Sequence, residues 1–230
     1  MKYLLATCAM LVIVVACATP SQAAVIVDPG LAPGTLYRLV FVTEGAMAAD
    51  EENITIYNQF VTTQANLSPE LAALNTTWSV IGSSPAVNAK TNTGTDPATS
   101  TGLAIYNLGG ERVASDNADL WDGQIENAID VDQYGTVWFG RVVLTGTAPD
   151  GTGVVDRQFS GPNSFRVEYG YTDQTGSAWI DANDYQGTLS ARQYYAISGV
   201  LVASAPEPSS LGMVLLAGGA MIAGRRRARC

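Results

Sequence analysis

The sequence predicts an α+β fold, with helices near the N-terminus and short, mostly antiparallel strands after them. Three observations favour this fold. The chain of 230 residues is 47% hydrophobic and only 14% charged, as expected for a chain that buries a core. Helical periodicity is confined to the stretch between residues 50 and 74, and strand-like runs dominate beyond it. Strands and helices do not alternate along the chain, which argues against a doubly wound sheet.

One domain, residues 24–205, is predicted for the folded part of the chain, since no internal repeat or long low-complexity tract divides it. Its first element is a strand over residues 36–42, an apolar run with β-branched and aromatic side chains. An amphipathic helix of about 14 residues is predicted to start at Asp50-Glu51-Glu52, because acidic side chains favour a helix N-terminus. A short second helix is predicted up to Leu74, with Ser68 as its N-cap and a proline in its first turn.

Beyond residue 90 the chain becomes polar and then strand-like. Residues 90–102 are rich in Thr, Asn and Gly and are predicted to form an exposed loop. Four short strands, separated by glycine-containing turns, are predicted after this loop, at residues 103–108, 137–144, 164–171 and 194–202.

The first 23 residues are predicted to be a secretory signal peptide. Lys2 is followed by an apolar run over residues 4–16, and small residues precede a cleavage point after Ala23. The run is too short for a typical membrane-spanning helix. Cys17 leaves an alternative open, because Val14-Val15-Ala16-Cys17 resembles the bacterial lipoprotein box, in which the cysteine becomes lipidated.

The C-terminal segment, residues 206–230, has three parts in a fixed order. Pro206-Glu207-Pro208 comes first, an apolar run over residues 211–224 follows, and Arg225-Arg226-Arg227-Ala228-Arg229 comes last. This order resembles the PEP-CTERM protein-sorting signal of Gram-negative bacteria. The resemblance implies export, transient residence in the inner membrane, cleavage by an exosortase-type enzyme, and arrival at the cell surface or outside the cell. It also implies an association with exopolysaccharide production.

Membrane physics supports this interpretation of the tail. The arginine cluster favours a cytoplasmic location for its end of the apolar run, by the positive-inside bias. A helix over residues 211–224 is about 21 Å long, whereas the hydrocarbon core is ~30 Å thick. Its glycines weaken the helix further. A transient anchor is therefore predicted, and a permanent tail anchor is the alternative.

Three short segments of the body carry a second resemblance. Leu103–Leu108, Asp119–Gly123 and Val137–Gly140 are similar to segments of the endostatin domain of collagens XV and XVIII. An earlier strand, a long helix and a Trp78 segment come in matching order, and residues 194–201 match the last strand of that family. The resemblance implies a C-type-lectin-like fold. The body is also similar to a group of bacterial PEP-CTERM proteins of unknown function.

Composition excludes several activities that the endostatin resemblance implies. The chain has no histidine, so histidine-ligated zinc and catalytic triads with histidine are excluded. Residues 24–205 carry seven basic and twenty acidic side chains, a formal charge of −13, which argues against heparin and nucleic acid as partners. The cysteines, Cys8, Cys17 and Cys230, all lie in the terminal segments, so no disulfide is predicted within the domain.

A calcium ion is the one cofactor hypothesis that the sequence supports. Trp179-Ile180-Asp181-Ala182-Asn183-Asp184 resembles the Trp-Asn-Asp segment of calcium-dependent lectins, with two inserted residues, and the oxygen side chains of Asp181, Asn183 and Asp184 suit calcium. An Asx-rich turn without metal is the alternative interpretation. Residues 130–135 mimic the start of an EF-hand loop, but Arg141 stands where that loop needs a bidentate glutamate.

Aromatic side chains offer a means of binding sugars. The body contains four tryptophans, and their apolar neighbours predict that most of them belong to the core. Tyr185, Tyr194 and Tyr195 are predicted to be better candidates for the surface.

The primary hypothesis for function is a non-enzymatic, exported surface or matrix protein that binds polysaccharide. An enzyme acting on polysaccharide is the second hypothesis, with carboxylate pairs such as Asp119 and Asp122, or Asp181 and Asp184, in the catalytic role. The third is a structural matrix protein without a ligand. No catalytic residue is predicted.

Overall fold

The computed structural model describes residues 26–160, 165–183 and 185–204, and its helices and strands make the fold α+β, as predicted. The predicted signal peptide, residues 1–23, and the predicted sorting tail, including Pro206-Glu207-Pro208 and Arg225-Arg226-Arg227, lie outside the described residues. Within these three ranges, no helix has the length and apolar character needed to cross a membrane.

The first three elements agree with the predicted order. Strand β1 is Leu36–Val42, helix α1 is Ile54–Asn66 and helix α2 is Pro69–Ala73. Ser68 caps α2 as predicted, by accepting a hydrogen bond from the backbone N–H of Leu71. The predicted start of α1 was too early. Asn53 caps the helix by accepting from the backbone N–H of Thr55, so the acidic residues 50–52 precede it.

The later elements are short. The strands are β2 (Trp78–Val80), β3 (Ile105–Asn107), β4 (Arg112–Ala114), β5 (Val142–Leu144), β6 (Arg166–Tyr171), β7 (Tyr185–Gly187), β8 (Tyr195–Ser198) and β9 (Leu201–Val202). Two further helices, α3 (Ala89–Asn92) and α4 (Asn117–Leu120), and a single 3₁₀ turn (Ser177–Trp179) join them.

Three of the predicted boundaries were wrong. The strand predicted over residues 137–144 is limited to β5, because Gly140 has φ +61°, which breaks an extended strand. The strand predicted over residues 194–202 splits into β8 and β9. The loop predicted over residues 90–102 begins inside α3, and it is tethered to the body, since the Trp121 indole N–H donates to the Thr95 carbonyl.

The strands form two sheets. The larger has the order β2-β8-β1-β3-β4, and β9 pairs with the first residues of β1. Its pairings are antiparallel except between β1 and β3, which run parallel. The smaller sheet has the order β5-β6-β7 and is antiparallel. An isolated bridge between Val143 and Gln193 connects the smaller sheet to the residues just before β8.

The larger sheet is covered on both faces. Leu39 and Phe41 of β1 face one core cluster, which includes the buried side of α1, while Val40 and Val42 face a second cluster. Trp78, Trp121 and Trp179 are buried, as predicted for most of the tryptophans.

The expectation that Tyr194 and Tyr195 lie on the surface was wrong. Both side chains are fully buried, because β8 is an inner strand between β1 and β2. Tyr194 packs against Tyr57 and Phe159 in the first core cluster, whereas Tyr195 packs against Trp179 in the second. Nothing is described of the Tyr185 side chain.

A loop and an arginine cleft as the candidate site

The loop of residues 134–141 is held in place by one buried carboxylate. Asp132 is 1% exposed, and its Oδ1 accepts the backbone N–H groups of Tyr134 at 2.8 Å and Thr136 at 2.9 Å. Its Oδ2 accepts the indole N–H of Trp138 at 2.8 Å. Charge-assisted hydrogen bonds of this kind are stronger than neutral ones. Asp132, which resembled a calcium ligand in the sequence, therefore organises the loop.

The other end of the loop is fastened by Thr172, a fully buried residue just after β6. Its hydroxyl donates to the carbonyl of Trp138 at 2.8 Å and accepts the backbone N–H of Arg141 at 3.2 Å. The backbone N–H of Thr172 donates to the carbonyl of Arg141 at 3.1 Å. The loop is thus fixed at both ends before any ligand binds, which lowers the entropic cost of binding.

The fixed loop presents apolar side chains to solvent. Phe139 is 78% exposed, and Tyr134 and Val137 are each about half exposed. Exposed apolar side chains that the backbone holds rigidly are characteristic of binding surfaces. Trp138 is half-buried against the second core cluster, and the Arg141 guanidinium lies over its ring, 4.1 Å from the centroid. Trp138 therefore positions Arg141 by a cation–π contact.

A cleft of about 310 Å³ opens beside Arg141. We call it the arginine cleft, and its lining residues are Gly140, Arg141, Val142, Ala191, Arg192 and Gln193. The two sides of the cleft come together because β5 runs beside residues 191–193. The backbone N–H of Leu144 donates to the carbonyl of Gln193 at 3.0 Å. Two cations that are distant in sequence thus line one small cavity.

These two arginines differ from several others in the domain. Arg112 pairs with Glu126 and Arg157 pairs with Glu168, each at 2.9 Å. Arg38 donates to the backbone carbonyls of Thr93 and Ser198, and burial lowers the pKa of its guanidinium.

Within the described ranges, neither Arg141 nor Arg192 has a carboxylate at salt-bridge distance. Arg192 donates to the Ala191 carbonyl at 2.8 Å and to Gln186 Oε1 at 3.5 Å. Its other donors remain for a ligand, since a guanidinium carries five N–H groups.

A second and larger groove, of about 660 Å³, lies between α1 and β2. All of its lining residues are uncharged, and much of their hydrogen-bonding capacity is used internally. Asn58 bonds with Asn92 and with the backbone of Val80, and the Thr62 hydroxyl donates to the carbonyl of Trp78. Trp78 is only 3% exposed, so its ring is not available for a sugar to stack on. The groove is therefore the weaker candidate despite its size.

The predicted calcium ligands are placed only in part. Asp181 Oδ1 accepts the backbone N–H of Asn183 at 2.9 Å, and Asn183 has φ +56°. This is the geometry of an Asx turn. Asp184 lies outside the described residues, and among those described no cluster of three acidic or cysteine side chains is suited to a metal. The calcium site stays a prediction.

The carboxylates considered for catalysis bond to their own backbone. Asp119 Oδ2 accepts the N–H of Ser115 at 2.6 Å, and Asp122 Oδ1 accepts the N–H of Gln124 at 3.0 Å. Asp130 has a different environment. Partial burial, together with the negative charges of Glu111 and Asp173, raises its pKa.

Sequence reasoning missed Phe139, Arg141 and Arg192 as site residues. One signal was present, since Trp138-Phe139-Gly140-Arg141 places aromatic and basic side chains side by side in an acidic domain. The contribution of Arg192 depends on the pairing of Val143 with Gln193, which no local pattern indicates. No model of a known protein family matches this sequence, and no curated protein matches it.

Proposed function

We propose that this is an exported, non-enzymatic protein of the cell surface or extracellular matrix that binds polysaccharide through the 134–141 loop. The observation that carries the binding role is Phe139, which is 78% exposed on a loop that Asp132 and Thr172 hold rigidly. An exposed aromatic ring stacks on the apolar face of a sugar. Because the loop is fixed in advance, little binding energy is spent on ordering it.

Export belongs to the same proposal and is supported by the two terminal segments. The signal peptide directs the chain out of the cytoplasm, and the PEP-CTERM-like tail keeps it briefly in the inner membrane until an exosortase-type enzyme cleaves near Pro206-Glu207-Pro208. The mature product is then residues 24 to about 206, a strongly acidic domain. The tail's resemblance also implies an association with exopolysaccharide production, which agrees with a loop that binds sugar.

We also propose that this α+β fold is C-type-lectin-like. Support comes from the element order, since β1, α1 and β2 follow one another as in the endostatin resemblance. The closing strands β8 and β9 both pair antiparallel with β1. The zinc and heparin activities of endostatin are not part of the proposal, because the chain has no histidine and its domain is acidic.

Affinity electrophoresis through gels that contain a polysaccharide tests the binding role. The secreted protein is run in gels of alginate, xanthan and dextran, beside the variants Phe139→Ala and Phe165→Ala. Phe165 is 86% exposed and lies just before β6, at the opposite end of that strand from Thr172, so it is a matched control for loss of an exposed ring. We expect retardation in at least one gel for the wild type and for Phe165→Ala, and its loss for Phe139→Ala.

Two additional measurements test whether binding depends on calcium and whether the protein cleaves the polysaccharide. Chelator in the gel of neutral dextran removes calcium from the protein without removing it from the polymer, so chelator-sensitive binding there would favour the ion predicted at Asp181, Asn183 and Asp184. Shortening of the polysaccharide chains, abolished by Asp119→Asn or Asp122→Asn, would contradict the non-enzymatic role. Equal retardation of Phe139→Ala and wild type would contradict the proposed binding surface.

Processing of the exported chain has its own measurement. Mass spectrometry of the protein recovered from cells that contain an exosortase is expected to show a first residue of Ala24 and a last residue near Glu207. A diacylated Cys17 would replace the signal-peptide interpretation with the lipoprotein one. A retained arginine cluster would indicate a permanent anchor.

A further inference from the structure

We propose that the ligand is an acidic polysaccharide whose uronate carboxylates bind between Arg141 and Arg192. This inference rests on the proposed function and specifies the chemical class of its ligand. It adds to the aromatic contact at Phe139 a second contact, a charged one, in the adjoining arginine cleft. The two contacts together recognise a sugar ring that carries a carboxylate.

Arg141 supplies the first cation. Its guanidinium lies over the Trp138 ring, and the indole N–H of that tryptophan bonds to the buried Asp132, so the ring beneath the cation is itself fixed. The backbone of Arg141 bonds to Thr172 through both its N–H and its carbonyl. A guanidinium carries parallel N–H donors that match the two oxygens of a planar carboxylate.

Arg192 supplies the second cation from the other wall of the same cavity. The Met47–Arg192 bridge fixes its backbone, in which each N–H donates to the other residue's carbonyl at 3.0 and 3.1 Å. Its side-chain bonds go to neutral oxygens, those of Ala191 and Gln186. Its charge is therefore not neutralised by a partner within the described part of the chain.

Acidic groups also lie near the cleft and limit what it binds. The Asp173 carboxylate is close to Gly140, since its Oδ2 would be 3.8 Å from a Cβ at that position. Glu44 is exposed, and its backbone carbonyl accepts a bond from the Gln193 side chain at 3.4 Å. With these groups at the rim, the cleft is a local cationic site rather than a broad basic surface.

This arrangement favours a sparsely charged polymer. Duplex DNA carries one negative charge per ~1.7 Å of axis and needs many basic contacts, which a domain of charge −13 does not offer. A polyuronate carries one carboxylate per sugar, each on a ring with an apolar face. In the proposed complex, the apolar face of one such sugar stacks on Phe139 while its carboxylate binds the two arginines.

Titration calorimetry with sodium alginate, a polyuronate, and with its carboxyl-reduced neutral derivative tests the inference. The secreted protein is compared with Arg141→Gln, Arg192→Gln and the control Arg112→Gln. Arg112 is exposed and pairs with Glu126 elsewhere, so its variant has the same change in net charge without touching the cleft. We expect each cleft variant to weaken alginate binding about fivefold, as for an exposed ion pair, and the control to bind as wild type does.

The Asp173 carboxylate at the rim of the cleft provides a variant that should change alginate affinity in the opposite direction. Asp173→Asn removes a negative charge beside the cleft, so we expect it to bind alginate more tightly, with the gain falling as salt is raised. The neutral derivative should bind weakly and equally to the wild type and to the arginine and Asp173 variants, and should not bind Phe139→Ala.

The outcomes distinguish the inference from the proposed function. Equal affinity for alginate and its neutral derivative would overturn the role of the arginines and leave polysaccharide binding intact. Equal weakening by Arg112→Gln would also overturn it, because the effect would then follow net charge. Absence of binding to both polymers and to the gels above would overturn both proposals.

Discussion

At the scale of single residues, Asp132 has the clearest structural role in the site. Its buried carboxylate accepts three hydrogen bonds from the loop. An asparagine there keeps one carbonyl oxygen but turns an NH₂ group toward the indole N–H of Trp138, so two donors face each other. We expect Asp132→Asn to lower the free energy of unfolding by about 1–3 kcal/mol in urea denaturation.

Asp122 is the control for this variant. It accepts a single backbone N–H in an exposed turn, and an asparagine oxygen accepts that bond equally well. Asp122→Asn should stay within about 0.5 kcal/mol of wild type. A similarly small effect of Asp132→Asn would show that its carboxylate does not organise the loop.

Asp130 gives a prediction about pH. Partial burial, reinforced by the negative charges of Glu111 and Asp173, raises its pKa in the folded state. The folded state therefore binds the Asp130 proton more tightly than the unfolded state does. The stability from this proton is present at low pH and is lost as pH rises through the folded-state pKa. Charged Asp130 thus destabilises the fold at neutral pH.

Thermal unfolding of Asp130→Asn at two pH values measures this effect. We expect a higher Tm than wild type at pH 7, and no difference below about pH 2.5, where Asp130 is protonated in both states. A Tm advantage that is the same at both pH values would contradict the role of ionisation.

Residue types alone could predict part of the site. The adjoining Trp138, Phe139 and Arg141 are visible in the sequence, and so is the acidic background that makes an arginine unusual. Their roles were not predictable, because the apolar run from 137 onward indicates a strand, while three hydrogen bonds accepted by the Asp132 side chain impose a loop. Side-chain bonds to the backbone override local propensity here.

At the scale of elements, the contact between β6 and the 3₁₀ turn is the tightest constraint near the site. A Cβ on Gly170 of β6 would collide with the backbone carbonyl of Trp179. Since a backbone group moves only with its whole segment, Gly170→Ala should displace the turn that carries Trp179. We expect a loss of about 3 kcal/mol in the free energy of unfolding, measured in urea.

Gly176, at the start of the same turn, is the matched control. A Cβ there meets nothing within 4 Å, and its φ of −77° suits alanine. Gly176→Ala should change stability by less than about 0.5 kcal/mol. If Gly170→Ala were equally harmless, the close packing of β6 on the turn would be wrong.

Elements with a strong local sequence pattern could be predicted from the sequence, whereas elements that depend on pairing with another strand could not. The apolar run of β1 and the Ser68 cap with Pro69 in α2 are local features, and the structure contains both elements. Strand β4 is three residues long and depends on β3 for its hydrogen bonds, so no periodicity marks it. The burial of Tyr194 and Tyr195 follows from the inner position of β8, which is a property of the sheet order.

At the scale of the whole molecule, the sequence is divided into regions of opposite charge. Residues 206–230 carry four arginines and one glutamate, while the domain between the terminal segments is strongly acidic. In that domain, Arg112 and Arg157 pair with carboxylates, whereas Arg141 and Arg192 line a cleft beside an exposed phenylalanine. We therefore propose that binding occurs at the loop and cleft rather than in the larger groove between α1 and β2.

The most direct test is to map the bound sugar by NMR. Backbone amide shifts of the ¹⁵N-labelled protein are followed as alginate oligosaccharides are added. We predict that the largest shifts belong to Phe139, Gly140, Arg141 and the facing residues 191–193. Shifts centred on Thr55, Gln59 and Ser79 of the α1–β2 groove, or no shifts at all, would contradict the account.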